Sequence, residues 1–72
     1  QGRGIAREAL EEASLYARQQ GLHQLYAIVA SDNVRARNLF LHSSFKETAI
    51  LPQWLCHEGN YADAILYQRI FF

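Results

Sequence analysis

The spacing of apolar residues changes along the chain and divides it into five segments. From residue 4 to about 20, Ile5, Ala9, Ala13 and Tyr16/Ala17 recur every three to four positions, with Ala6 and Leu10 widening the stripe. Glu8, Glu11, Glu12 and Arg18 fall mostly on the other side, so the pattern predicts an amphipathic helix. Gly21 is placed to end it in the left-handed conformation. The period then shortens. From Leu25 to Ala30 both faces are apolar, which predicts an interior strand covered on both sides. Ser31-Asp32-Asn33 is a cap cluster ahead of a second helix, about 33–42, with Ala36, Leu39 and Phe40 inward and Arg35 and Arg37 toward solvent. Ser43-Ser44 closes that helix. Phe45 to Leu51 reads as a strand stopped by Pro52, which has no N–H to give a central ladder. Residues 53–60 read as a loop with a turn at Gly59-Asn60. Tyr61 to Phe72 reads as a long strand interrupted by Asp63, Gln68 and Arg69, giving the order α-β-α-β-β.

Composition narrows the possibilities. The chain has 72 residues, half of them apolar, enough for one small globular domain and too apolar for a disordered segment. A domain of this size buries only about 60–65% of its unfolded surface and is marginal in stability. The net charge is zero, so the overall field favours neither nucleic acid nor an acidic partner, and any electrostatic function has to be local. With one cysteine, Cys56, neither an intrachain disulfide nor a zinc cluster is credible, and no metal site is assigned. A reducing, cytoplasmic setting is the expectation. No apolar run approaches the ~20 residues of a membrane span, and no signal-peptide pattern is present. The chain lacks methionine and opens on Gln1, so it is expected to be a piece of a longer protein whose preceding part supplies further strands.

The most informative stretch is the first, QGRGIAREAL. A helix N-terminus presents unpaired backbone N–H groups and partial positive charge, which an acidic residue in the first turn ordinarily complements. Here Arg3 and Arg7 occupy that region and the first acid is Glu8. The arrangement suits a helix start that holds an anion, with glycines allowing close backbone approach. A glycine-rich lead-in to a surface helix is the other reading. A P-loop is excluded because its Lys-Ser/Thr pair is missing, and a G-x-G-x-x-G dinucleotide loop because Arg7 stands at its third small position.

Gln1, Gly4 and Ala6 match Q-x-x-G-x-A, and the stretch resembles the pyrophosphate loop of GNAT acetyltransferases. A second stretch, Asn33-x-x-Ala36-x-x-Leu39-Phe40 followed by Ser43-Ser44-Phe45, looks like the N-x-x-A/S-x-x-L-Y-x-x-x-G-F segment of the same superfamily. The strand Tyr61–Tyr67 with Asp63 is similar to the last strands of its ribosomal-protein and amino-acid branches. The resemblance covers essentially residues 1–72 as one partial domain. It implies an α+β fold, the C-terminal half of the acyl-CoA N-acyltransferase architecture with a mixed sheet, in which two splayed parallel strands hold acyl-CoA. It further implies that Gln1, Gly2, Arg3, Gly4, Ile5 and Ala6 bind the pyrophosphate of acetyl-CoA through backbone N–H groups. Asn33 would contact the pantetheine arm or a nearby ordered water. The implied reaction is direct transfer of an acetyl group from acetyl-CoA to a primary amine, on a small molecule or a protein N-terminus, with no covalent enzyme intermediate. Nucleic-acid and membrane partners are not expected.

Two departures bear on catalysis. Phe40 stands where the family carries a tyrosine acid, and Ser44 where it carries glycine. No catalytic residue is assigned, and the segment that carries many of the family's general bases would precede Gln1. The isolated chain is therefore expected to be inactive and to self-associate, or to pair with the missing N-terminal half. Three functions stay open: an N-acyltransferase half, a non-catalytic CoA-binding or protein-interaction module, and a structural remnant. Among other residues, His23 reads as an exposed loop histidine, His42 as a helix-end histidine, and Trp54, Tyr61 and Tyr67 as packing residues. Asp63 reads either as a strand-edge charge or as a contact for an amine. Cys56 and His57, adjacent on a loop, do not suggest a nucleophile pair.

Overall fold

A computed structural model describes residues 2–72, and the five elements follow in the expected order. Helix α1 is Gly2–Gln19, strand β1 Gln24–Ala30, helix α2 Val34–Leu41, strand β2 Lys46–His57 and strand β3 Asn60–Ile70. The strands form one sheet in the order β1-β3-β2. β3 lies in the middle and pairs antiparallel with both neighbours, with Val29 opposite Ile65 on one side and Ile50 opposite Ile65 on the other. The α+β class is as expected. The parallel component of a mixed sheet is not among the pairings of the described residues.

The core sits on one face of this sheet. Val29, Phe45, Ile65 and Tyr67 are buried together, with Leu10 of α1, Ala36 and Phe40 of α2, and Leu25 packed against them. Because side chains alternate across a strand, Leu25 and Val29 face both helices while Tyr26 and Ile28 point the other way. Tyr26 and Ile28 are exposed. The expectation that β1 is covered on both faces is therefore corrected: within this chain one layer of helices covers one face.

α1 turns only part of the anticipated stripe inward: Ala6, Leu10 and Ala17 lie on the inner face, while Ile5, Ala9, Ala13 and Tyr16 do not. Ala17 and Ser14 are buried and Ala6 and Leu10 half-buried, whereas Ile5 and Tyr16 are exposed. The inward face follows the row 6, 10, 14, 17, about a quarter-turn round from Ile5-Ala9-Ala13-Tyr16. Ser14 can occupy it because its hydroxyl donates to the Leu10 carbonyl at 2.9 Å, leaving no unpaired buried donor. Past the end of α1, Gly21 takes φ +81° while Leu22 N–H returns to the Ala17 carbonyl at 3.1 Å, the left-handed termination the sequence signals.

α2 ends by the same device without a glycine. Ser44 adopts φ +72°, Phe45 N–H bonds the Phe40 carbonyl at 3.0 Å, and the Phe45 ring packs edge-on against Phe40 with centroids 5.1 Å apart. The glycine-type backbone is thus present at Ser44, at a steric cost a side chain brings to that region.

β2 corrects the expected loop at 53–60. The strand continues through Pro52 to His57, and the register shifts between Leu51 and Leu55. It survives there because β2 is an outer strand, where proline is tolerated, and because a bulge absorbs the irregularity. Gln53 takes φ +51° at that place and its N–H donates to Asp63 Oδ1 at 2.9 Å. The hairpin then turns at Glu58-Gly59, both at positive φ, which brings His57 opposite Asn60.

Candidate functional site

The start of α1 keeps the features of an anion-binding helix end. Its first turn contains no acidic residue, so no carboxylate of that turn complements the N–H groups and partial positive charge gathered there. An added Cβ at Gly4 would meet nothing within 4 Å, so this side of the first turn opens onto free space. Ile5 is exposed and Ala6 half-buried, which puts Ala6 at the beginning of the inward row. Gln1 lies outside the described residues, as does the side chain of Arg3; the backbone of Gly2 and Arg3 belongs to the first turn. A shallow depression beside it is lined by Gly4, Arg7, Glu8, Glu11 and Glu12. Of its carboxylates, Glu11 is already engaged, pairing with Arg69 of β3 at 3.1 Å.

Asn33 has a definite local role. It is the N-cap of α2, with its Oδ1 accepting from Ala36 N–H at 3.1 Å. The side chain is exposed, and the amide nitrogen has no partner among the described residues. One edge of Asn33 therefore holds the helix and the other remains able to donate.

Arg37 is not solvated as its helical position suggested. Its Nη1 donates to the Ser31 carbonyl at 2.9 Å, its Nε to the Tyr67 hydroxyl at 3.2 Å and its Nη2 to Glu47 Oε2 at 3.3 Å. Tyr67 in turn donates to the same Glu47 oxygen at 2.6 Å. The hydrogen bond from Tyr67, ahead of the neighbouring guanidinium, holds the Glu47 carboxyl below its ordinary range. Burial and the bond to Glu47 push the Tyr67 phenol above its own. The network is an uncharged phenol, a carboxylate and a guanidinium, joining α2 to β2 and β3. No single residue type in the sequence announces it, since its members lie 10 to 30 positions apart.

The remaining aromatic and polar candidates are mostly structural. Phe40 stacks on Tyr67 with centroids 5.8 Å apart and meets Phe45 edge-on. Tyr67 is fully buried, as expected of a packing residue, whereas the packing role expected of Trp54 and Tyr61 is corrected, both being exposed on the β2–β3 hairpin. His23, His42 and His57 are exposed, as is Cys56. Asp63 holds the β2 bulge through Gln53, which accounts for its presence in an apolar strand. Among the described residues no cluster of three metal-ligating side chains occurs, and no helix is long and apolar enough to cross a membrane.

Comparison with known proteins identifies the fold. The profile of the acetyltransferase (GNAT) family matches residues 1–45, which contain α1, β1 and α2. Among solved structures, a chimeric spermidine N-acetyltransferase built from the Vibrio cholerae protein and hSSAT superposes with a TM-score of 0.88 at 30% identity. The match takes in 97% of this chain and 43% of that one. A ribosomal-protein-alanine N-acetyltransferase from Brucella melitensis gives a TM-score of 0.89 at 29% identity, over 94% of this chain and 42% of that one. An N-acetyltransferase from Staphylococcus aureus Mu50 shares the fold, with a TM-score of 0.86 at 19% identity, over 94% of this chain and 44% of that one. The chain thus spans less than half the length of these solved relatives. A search of curated protein sequences returns no match.

Proposed function

The chain belongs to the acetyltransferase (GNAT) family, and from that premise we propose that it is the C-terminal half of an acyl-CoA-dependent N-acyltransferase, a partial domain over residues 1–72. Its co-substrate in this reading is acetyl-CoA, with the pyrophosphate on the backbone N–H groups of residues 1–6 and the pantetheine arm near Asn33. The observation that carries the reading is the start of α1, where a first turn without acids meets open space at Gly4. The free donor edge of Asn33 supports the second contact.

In the reaction, a deprotonated primary amine attacks the thioester carbonyl, the tetrahedral intermediate collapses, and the CoA thiolate leaves. The amine's proton passes to a base, and the thiolate is protonated or held by hydrogen-bond donors. The described residues contribute binding and orientation. Phe40, packed against Phe45 and Tyr67, has no proton to give, so another group serves the leaving thiolate, water or a residue of the other half of the domain. A reducing, cytoplasmic setting belongs to the same proposal.

The test is amine-dependent release of thiol from acetyl-CoA by the complete protein. The amines follow the named relatives: spermidine, and a peptide with N-terminal alanine. Release that rises with one amine above the acetyl-CoA blank supports the enzyme. Binding of acetyl-CoA without release by any amine would favour a CoA-binding module, the reading to which Phe40 lends support.

The open flank of β1 and the exposed Tyr26 and Ile28 are, in this proposal, where the other half of the domain packs. From Leu25 to Ala30 that flank carries no charge, proline or glycine, the usual protections of a sheet edge. Residues 1–72 alone are expected to self-associate at micromolar concentration and to become a defined 1:1 species when the N-terminal half is added. A monodisperse monomer in analytical ultracentrifugation would contradict this.

A further inference from the structure

We infer that Arg37 is a positioning residue for the acyl-CoA site: its guanidinium fixes the Ser31–Asn33 turn and, through the turn, the side chain of Asn33. The inference rests on the proposed role of Asn33 toward acyl-CoA, and it adds to that role a residue that touches no substrate.

The turn between β1 and α2 is short and polar, and its pose depends on a few hydrogen bonds. Ser31 N–H donates to the Asp63 carbonyl at 2.9 Å and Asn33 N–H to the Ala30 carbonyl at 3.0 Å, tying the turn to the sheet end. Arg37 closes it from the other side through the Ser31 carbonyl at 2.9 Å. Arg37 sits one helical turn beyond Asn33, and its own N–H donates to the Asn33 carbonyl at 3.0 Å. The guanidinium is itself anchored on β2 and β3 by Glu47 and Tyr67. Tyr67, fully buried in the middle strand, fixes the far end of the chain of contacts. The path therefore runs from the rigid sheet through one planar cation to an exposed turn.

Only arginine fits this position. Three acceptors lie in different directions, and a rigid planar fork presents separate N–H groups to all of them. Lysine would keep the charge and reach one acceptor at a time, so it separates geometry from electrostatics. An unanchored turn would still allow α2 to form, because its helical bonds and the Phe40 packing are untouched. What it would lose is one fixed direction for the Asn33 amide, so bound acyl-CoA would have to order the turn at its own cost in affinity.

The experiment compares Arg37→Lys with the unaltered complete protein, using acetyl-CoA as the probe. Amide hydrogen exchange at Ala36, whose N–H is capped by Asn33, should quicken about tenfold while exchange at Val29 and Ile65 stays unchanged, showing an intact core. Affinity for acetyl-CoA should fall about tenfold, with the KM for the amine and kcat at saturating acetyl-CoA unchanged. Asn33→Ala should lower affinity similarly, and the double variant should be little worse than either alone, because both remove the same contact. Unaltered exchange at Ala36 in Arg37→Lys, or additive losses in the double variant, would overturn the role of Arg37. Failure of the unaltered protein to bind acetyl-CoA would instead overturn the proposed function, a result distinct from either.

Discussion

Phe45→Ala should lower the stability of the domain by about 3–5 kcal/mol, the usual loss for a phenylalanine removed from a core. A chain of this length is held by about 4–11 kcal/mol in total, and small domains lie toward the lower end. The substitution therefore removes most of what keeps the chain folded. Phe45 is buried, touches Phe40 edge-on, belongs to the same cluster as Val29, Ile65 and Tyr67, and closes the end of α2 through its N–H. Ile50, also on the sheet but exposed, should change stability by no more than about 0.5 kcal/mol when made alanine. Ser44→Gly should move the other way, by about 0.5–1 kcal/mol, because φ +72° costs serine more than glycine. Urea unfolding of the complete protein, followed by circular dichroism, gives all three. A Phe45→Ala midpoint close to that of the unaltered chain would place the core elsewhere.

The ends of elements were the most legible part of the sequence. Gly21 and Asn33 carry specific backbone chemistry, a left-handed C-terminal residue and an N-cap, and both act as their residue types suggest. Ser44 was legible only through the resemblance, since serine does not by itself announce a positive φ. The face of α1 was legible only in part: Ala6, Leu10 and Ala17 lie on it as expected, but Ile5, Ala9, Ala13 and Tyr16 do not, and the row is completed by a serine. Its hydroxyl is satisfied by Leu10 within the helix, so hydrophobicity alone ranks the rows wrongly. The course of β2 past Pro52 depended on its being an outer strand with a bulge held by Asp63, both tertiary facts.

The candidate site divides in the same way. The helix start and Asn33 are local features and could be read from neighbouring residues. Two partners of Arg37 could not, since Glu47 and Tyr67 meet it only once the sheet has formed. A helical arginine with no acid three or four residues away reads as solvated, and it is the strand pairing of Glu47 with Tyr67 that supplies its acceptors.

The central claim, that the start of α1 receives the pyrophosphate of acetyl-CoA, is tested most directly at Gly4. A Cβ there meets nothing within 4 Å, and valine is no worse a helix former than glycine, so Gly4→Val should fold as well as the unaltered protein. Its branched Cβ would instead occupy the space a phosphate needs against the backbone N–H groups. A hydrogen bond to a charged group contributes about 1.5–3 kcal/mol, so losing one should weaken binding about 10- to 100-fold. Isothermal titration of acetyl-CoA into the complete protein and its Gly4→Val variant, with thermal unfolding of both, makes the comparison. The expected result is saturable binding to the unaltered protein, affinity lowered by that factor in Gly4→Val, and equal melting temperatures without ligand. Equal acetyl-CoA affinity in the two proteins would contradict the account, because no ligand phosphate could then lie against the first turn of α1.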